Sequence, residues 1–229
     1  ISSTERNQGT STNFNVQIEN PFVIKNIKLL HLRIPHTWYN IDSYNNTILF
    51  NEGGSNLTAT LTQGNYNVSD LQTEIKTQMD SAGSDTYTVT YDKKTMKITI
   101  LSTGTFSLLE SSLEIYDTLG FDNADTSTAS SHTGSNVIDL IRVKHIQIVI
   151  PEFGIIGRST NTQNEYTFIV PVNQNRSDII HFNDNSNFNQ IQNRNERLLT
   201  NLPVTVKDQN NRLINLNGSD ISLILQVCS

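Results

Sequence analysis

The sequence predicts a mainly β protein: a single antiparallel β-sandwich of the jelly-roll or another Greek-key type, carrying a small inserted α+β domain. Three observations predict it. Some eight or nine short segments rich in Val, Ile, Leu and Phe recur between loops of Asn, Asp, Gly and Pro, the pattern of strands in a sandwich. Between them, residues 47–121 have a different texture, with helical spacing and tight turn signals. After this interruption comes the most strand-prone stretch of the chain, VIDLIRVKHIQIVIP at 137–151. Nine of its first fourteen residues are apolar and eight of these are β-branched, side chains that crowd a helix but pack well on a pleated surface.

In chain order, residues 1–13 hold one apolar side chain and are expected to form a flexible N-terminal arm, either a tail or a segment that folds onto a neighbouring subunit. Phe14, Val16 and Ile18 alternate as a first strand, and Pro21 turns it toward a second that ends at Pro35. Trp38 and Tyr39 follow in a loop, where Trp38 is expected to plug one end of the core. Residues 47–50 and 57–61 flank a hairpin loop, Asn51 to Asn56. Ser69-Asp70-Leu71-Gln72 has the form of a capping box, and Leu71, Ile75 and Met79 recur at helical spacing up to Gly83. A second hairpin joins 87–91 to 96–100, and Leu109, Leu113, Tyr116 and Leu119 mark a short second helix closed by Gly120. The ββαββα unit and a polar linker at 122–136 make the insertion, 47–136; residues 14–46 and 137–229 make the discontinuous sandwich.

Within 137–151 the parity breaks: Ile146, Ile148 and Ile150 share one face, whereas Ile141 and Val143 fall on the other. A bulge or change of partner sheet is expected near 142–145, with Pro151 ending the strand. Residues 27–35 line up with 143–151, both ending on proline, and a third strand at 166–170 meets Pro171. This reads as three strands reaching one rim. The remaining strands are expected at 179–182, 202–206, 213–216 and 221–227, with a helical turn somewhere in 190–199.

A chain of 229 residues can bury a core without staples. Its one cysteine, Cys228, leaves nothing to pair with internally and fits a reducing compartment. No run of eighteen apolar residues forms a membrane segment, and the start at Ile1 leaves room for a trimmed or processed N-terminus. The net charge of −6, with sixteen Lys and Arg scattered and no basic stripe, argues against a nucleic-acid partner.

Chemistry has no candidate. His31, His36, His132, His145 and His181 form no pair at metal-ligand spacing. Nucleophile-elbow, P-loop and dinucleotide patterns are absent, and Cys228 is poorly placed to become an activated thiolate. The oxygen-rich loops 122–125 and 183–189 lack the glycine and closing glutamate of a calcium loop. Trp38, Tyr39 and Tyr44 are the aromatics able to stack on a sugar, though core and interface roles account for them as well. No catalytic, cofactor or metal residue is assigned.

Several motifs carry a family resemblance. They are Ile34-Pro35-His36-Thr37-Trp38-Tyr39-Asn40-Ile41, Leu61-Thr62-Gln63-Gly64-Asn65-Tyr66 before a helix, the 89–100 hairpin, Leu119-Gly120-Phe121, and the C-terminal 204–208 and 215–223 segments. Together they resemble the penton, or minor capsid, proteins of virophages, Polinton-like viruses and some giant DNA viruses. That resemblance spans most of the chain from Phe14 onward. It implies a structural virion protein without catalysis: one jelly roll with an insertion, assembled as a homopentamer at the five-fold vertices of an icosahedral capsid beside double-jelly-roll major capsid proteins. Synthesis would be in the host cytoplasm or a viral factory. No position is carried over as an interface residue. The alternative is a receptor- or carbohydrate-binding sandwich of a viral fibre or surface protein, whose partner would be a host-surface receptor.

Overall fold

The computed structural model describes residues 1–111, 114–151, 157–158, 165–184 and 190–228. The chain divides into two compact units, an outer one of Ile1–Trp38 with Val143–Ser229 and an inner one of Tyr39–Arg142. The outer unit begins with a single 3-10 turn, Ser3–Glu5, then β1 (Gln8–Thr10) and β2 (Asn13–Pro35). The inner unit contributes β3 (Thr47–Glu52), β4 (Ser55–Thr60), α1 (Val68–Ala82), β5 (Tyr87–Asp92), β6 (Lys97–Leu108), α2 (Ile115–Leu119) and β7 (Ala129–Thr133). The outer unit resumes with β8 (His145–Val149), β9 (Gly157–Arg158), β10 (Glu165–Tyr166), β11 (Phe168–Pro171), β12 (Ile179–Asn183), β13 (Gln190–Asp208) and β14 (Ser222–Cys228).

The outer unit is a jelly-roll-type antiparallel sandwich organised by two long strands. Near its start β2 lies in the ladder β1-β2-β13-β8-β11; further along, at 26–35, it pairs with β14 on one side and with β12 and the start of β13 on the other. Phe14, Ile148, Phe168 and Val204 from the first ladder and Leu32, Ile34, Ile180 and Leu223 from the second share one core, each at most 3% exposed. The described helices of more than one turn belong to the inner unit. The sheet must therefore fold over and face itself to dry this core. The buried residues of β2 change parity, from Phe14, Val16 and Ile24 to Ile27 and Leu29 and back to Leu32 and Ile34. The changes coincide with register shifts against β13 between Gln192 and Arg197 and against β14 between Ile224 and Leu225, where bulges re-aim the strand.

Residues 1–13, expected as a flexible arm, are instead docked. Ser2 and Glu5 form a capping box, Ile1 exchanges backbone hydrogen bonds with Leu223 at 3.0 and 2.8 Å, and Ser3 is fully buried. β1 then pairs with β2. Polar composition suggested disorder, but here backbone pairing along the edge of β14 replaces the missing apolar surface.

The expected long strand at 137–151 is corrected. Only His145–Val149 is a strand, and the parity break marks the passage between units. Ile138 and Leu140 pack against the inner core, Val143 is buried in the outer core, and Arg142 between them has φ 53°. The three prolines do not share a rim either: Pro171 lies opposite His145, at the end where β8 begins. Residues 190–199 form strand rather than a helical turn, because they pair with β2. Residues 213–216 keep only a bridge from Leu213 to Lys207. Leu113, named above, lies outside the described residues.

The inner unit is locally built. β3 and β4 close through Gly53 and Gly54, both at positive φ (59° and 89°), as a two-residue hairpin of this twist requires. The sheet order is β4-β3-β6-β5, with β7 added against β6 inside what was expected to be linker. Leu71, Ile75 and Met79, one stripe of α1, are completely buried. Its N-cap is Asn67, whose side chain accepts the Asp70 N–H at 2.9 Å, rather than Ser69; Gln72 reaches Val89 O instead. The second helix is shorter than expected because β6 continues to Leu108; it ends on Gly120 at φ 80°.

Candidate functional site

The penton-like motifs perform identifiable structural work. In the outer unit, His36 stacks on Trp38 at 4.2 Å between centroids, and Trp38 is part of the core. Thr37 donates its hydroxyl to Leu216 O at 2.7 Å, and Asn217 donates its amide to Thr37 O at 2.6 Å. The 34–38 and 215–223 motifs thus meet. Burial lowers the His36 pKa, although the Gln174 carbonyl near Nδ1, at 3.0 Å, opposes that shift.

In the inner unit the 39–41 and 61–66 motifs meet as well. Ile41 and Gly64 exchange backbone hydrogen bonds at 3.1 and 2.9 Å. Asn40 donates its amide to Tyr66 O and accepts the Tyr66 N–H, both at 2.9 Å. Asn45, fully buried, donates to Asn40 O at 2.8 Å and to Thr118 at 2.9 Å. Arg142 closes the arrangement: its guanidinium pairs with Asp42 at 2.6 Å, donates to Asn45 Oδ1 at 3.0 Å and lies over the Tyr44 ring. The first and last segments of the inner unit are thereby fastened to each other by a largely buried cation.

A second buried polar centre lies at the far end of α1. Glu52 Oε1 accepts the Ser84 N–H at 2.7 Å, the Ser84 hydroxyl at 2.5 Å and the Asp85 N–H at 2.9 Å, while Oε2 accepts the Tyr87 hydroxyl at 3.0 Å. Burial pushes the Glu52 pKa up, but these donors together outweigh it and hold the carboxyl below its ordinary value. Burial, then Glu52, drive the Tyr87 hydroxyl up. Gly83 is required here, since a Cβ would sit 2.2 Å from Glu52 Oε2. Every oxygen of this carboxylate is engaged, so the centre is a structural latch.

The sequence candidates are not brought together. His31 and His181 are exposed, His132 is buried with Nε2 2.9 Å from Phe106 O, and His145 lies beside Gln147 at 3.4 Å. No metal-ligand cluster occurs among the described residues. In the loop 122–125, Asp122 accepts from Ser135, Asn123 pairs with Ser111, and Asp125 accepts the Glu110 N–H; residues 185–189 of the other loop lie outside the described residues. Trp38 is buried in the core and so does not join Tyr39 and Tyr44, which are partly exposed, the latter with the Arg142 guanidinium over its ring. Among the described residues no helix is long and apolar enough to cross a membrane.

Charge is the feature that whole-chain reading missed. The outer unit has eleven Lys and Arg against nine Asp and Glu, net +2; the inner unit has five against thirteen, net −8. Contrary to the expectation of scattered cations, Lys25, Lys28 and Arg33 lie along one strand, in a stretch with no carboxylate from Asn20 to Ile41. The overall −6 averages these two populations away. A segment-by-segment count would have found them.

No family model and no curated relative matches the chain. Solved structures similar to it include the Sputnik virophage, determined by cryo-electron microscopy at 3.5 Å, with 13% identity and a TM-score of 0.47 over 96% of this chain and 93% of that one. Another is the selenomethionine-labelled mavirus penton protein, with 12% identity and a TM-score of 0.44 over 95% of this chain and 98% of that one.

Proposed function

We propose that the chain is a structural capsid protein, a penton subunit that closes the five-fold vertices of an icosahedral virion as a homopentamer beside double-jelly-roll major capsid proteins. The observation that carries this reading is the convergence of the penton-like motifs. Segments 34–38 and 215–223 join in the outer unit, and 39–41 and 61–66 join in the inner one, so the resembling residues are those that hold each framework. A sandwich interrupted between β2 and β8 by a self-contained α+β unit is also the architecture that the sequence resemblance implies. The function is mechanical. Side surfaces of neighbouring copies bury against each other, and a heterologous contact repeats until the rotation closes.

The test is to locate the chain in purified virions by cryo-electron microscopy with a tagged copy. Density for the tag at the five-fold vertices supports the reading. Tag density on a fibre, together with glycan-array binding competed by free sugar, would replace it with the receptor-binding alternative.

A further inference from the structure

We propose that the solvent face of β2 is a docking surface for a second copy of this chain, whose exposed inner-unit carboxylates Glu110, Asp117, Asp122 and Asp125 are its occupant. The inference deepens the self-assembling reading above and rests on it. From Ile24 to Ile34, β2 turns Ile27, Leu29, Leu32 and Ile34 into the core and leaves Lys25, Lys28, His31 and Arg33 at exposed or half-buried positions. At about 3.3 Å per residue this row runs for roughly 26 Å from Lys25 to Arg33.

The flanking strands extend the face. β12 places His181 opposite Arg33, and β14 places Ile224 opposite His31 and Gln226 opposite Lys28. Residues directly opposite in an antiparallel pair project to the same side. Neither IIHFN of β12 nor SLILQVC of β14 contains a carboxylate; β13, the other flank, carries Glu196 between Arg194 and Arg197, and Asp220, which lines a pocket with Arg33 and Ile179, is already paired with Arg6. Ile224, 54% exposed, and Ile179, 39% exposed opposite Pro35, add apolar anchors to the cationic row.

That mixture fits a protein partner better than a polyanion. Three permanent cations release few counterions from a nucleic acid, and the rings at these outward positions are the imidazoles of His31 and His181, with no Phe, Tyr or Trp on which bases chiefly stack. Apolar anchors within a charged surround are the anatomy of a protein interface. A complementary surface is supplied by the same sequence. Between Lys97 and Arg142 the chain has no Lys or Arg, and Glu110, Asp117, Asp122 and Asp125 are exposed there. Asp125 accepts the Glu110 N–H at 2.7 Å and Asn123 pairs with Ser111, which brings Glu110 beside Asp125. Each copy then carries one face of each sign, the requirement for a heterologous contact that propagates around a ring.

The test uses the full chain, its native mass followed over a concentration series at about 50 mM and about 500 mM salt, where screening differs severalfold. The wild type self-associates, more weakly at high salt. Lys28→Glu with Arg33→Glu weakens association about tenfold or more at low salt, with an unchanged melting profile because both side chains lie on the solvent face. Glu110→Lys with Asp117→Lys does the same, and a mixture of the two double variants associates again. Association insensitive to the β2 reversal, or loss not restored in the mixture, overturns the docking assignment. So does binding of a single-stranded oligonucleotide that the β2 reversal abolishes while self-association persists. A wild type that stays monomeric at every concentration yet occupies virion vertices overturns this surface while leaving the penton reading intact.

Discussion

The two units are held together in different ways. In the outer unit β2 finds its partners in 190–205 and 222–228, more than 150 residues away along the chain, and is secured by an apolar core between the faces of one folded sheet. The inner unit pairs neighbours: β3 with β4, β5 with β6, and α1 between them, pinned by the buried polar centres at Glu52 and Asn45. One depends on long-range pairing and apolar burial, the other on local signals and polar latches. Local contacts close smaller loops and form faster, so the inner unit is expected to fold first and independently of the strands around it.

The largest effect that would sharpen this contrast comes from Phe168→Ala. Phe168 is completely buried in the outer core, and its truncation should cost about 3–5 kcal/mol. Hydrogen exchange should show protection lost in β2, β8 and β13 while α1 and β5 keep theirs; equal loss in both units would mean that they unfold as one body.

Glu52→Ala is the reciprocal cut. It removes the acceptor of the Ser84, Asp85 and Tyr87 donors, and should cost about 1–3 kcal/mol in the inner unit alone. The same carboxylate gives that unit a pH dependence. Its folded pKa lies below the unfolded value, so its stabilisation is complete above the ordinary carboxylate range and is lost as pH falls through the depressed folded value. Calorimetry from pH 7 down to pH 3 should show inner-unit stability falling in wild type more steeply than in Glu52→Ala. Parallel curves for the two proteins would contradict this.

Smaller effects follow from the α1 surface. Asn67→Ala should cost about 1 kcal/mol through loss of the cap on Asp70 N–H. Lys76→Ala, which removes the half-exposed i,i+4 pair with Asp80, should change stability by about 0.5 kcal/mol or less. If chemical denaturation ranks Lys76 above Asn67, surface ion pairing rather than capping governs that helix.

The same contrast explains what was legible in the sequence. Hairpins at 47–60 and 87–100 and the stripe Leu71, Ile75, Met79 are encoded by residues a few positions apart, and the structure forms them. The extended run 137–144 was not separable from strand β8, because β-branched residues linking two cores bury alternate side chains as a strand does. Residues 190–199 are polar enough to suggest a helical turn, and only the distant β2 makes them strand. Asn67 displaced Ser69 as cap because two polar residues two positions apart can both serve as caps and only the start of the helix chooses between them. The cationic face was hidden by a different cause: its residues are unremarkable singly, and the acidic inner unit cancels them in any whole-chain sum.

The most direct measurement of the central claim is the native mass of the purified chain across a concentration series. The account predicts a species near five times 25.7 kDa that grows with concentration at low salt. A stable trimer would contradict it, since a three-fold assembly does not close a five-fold vertex.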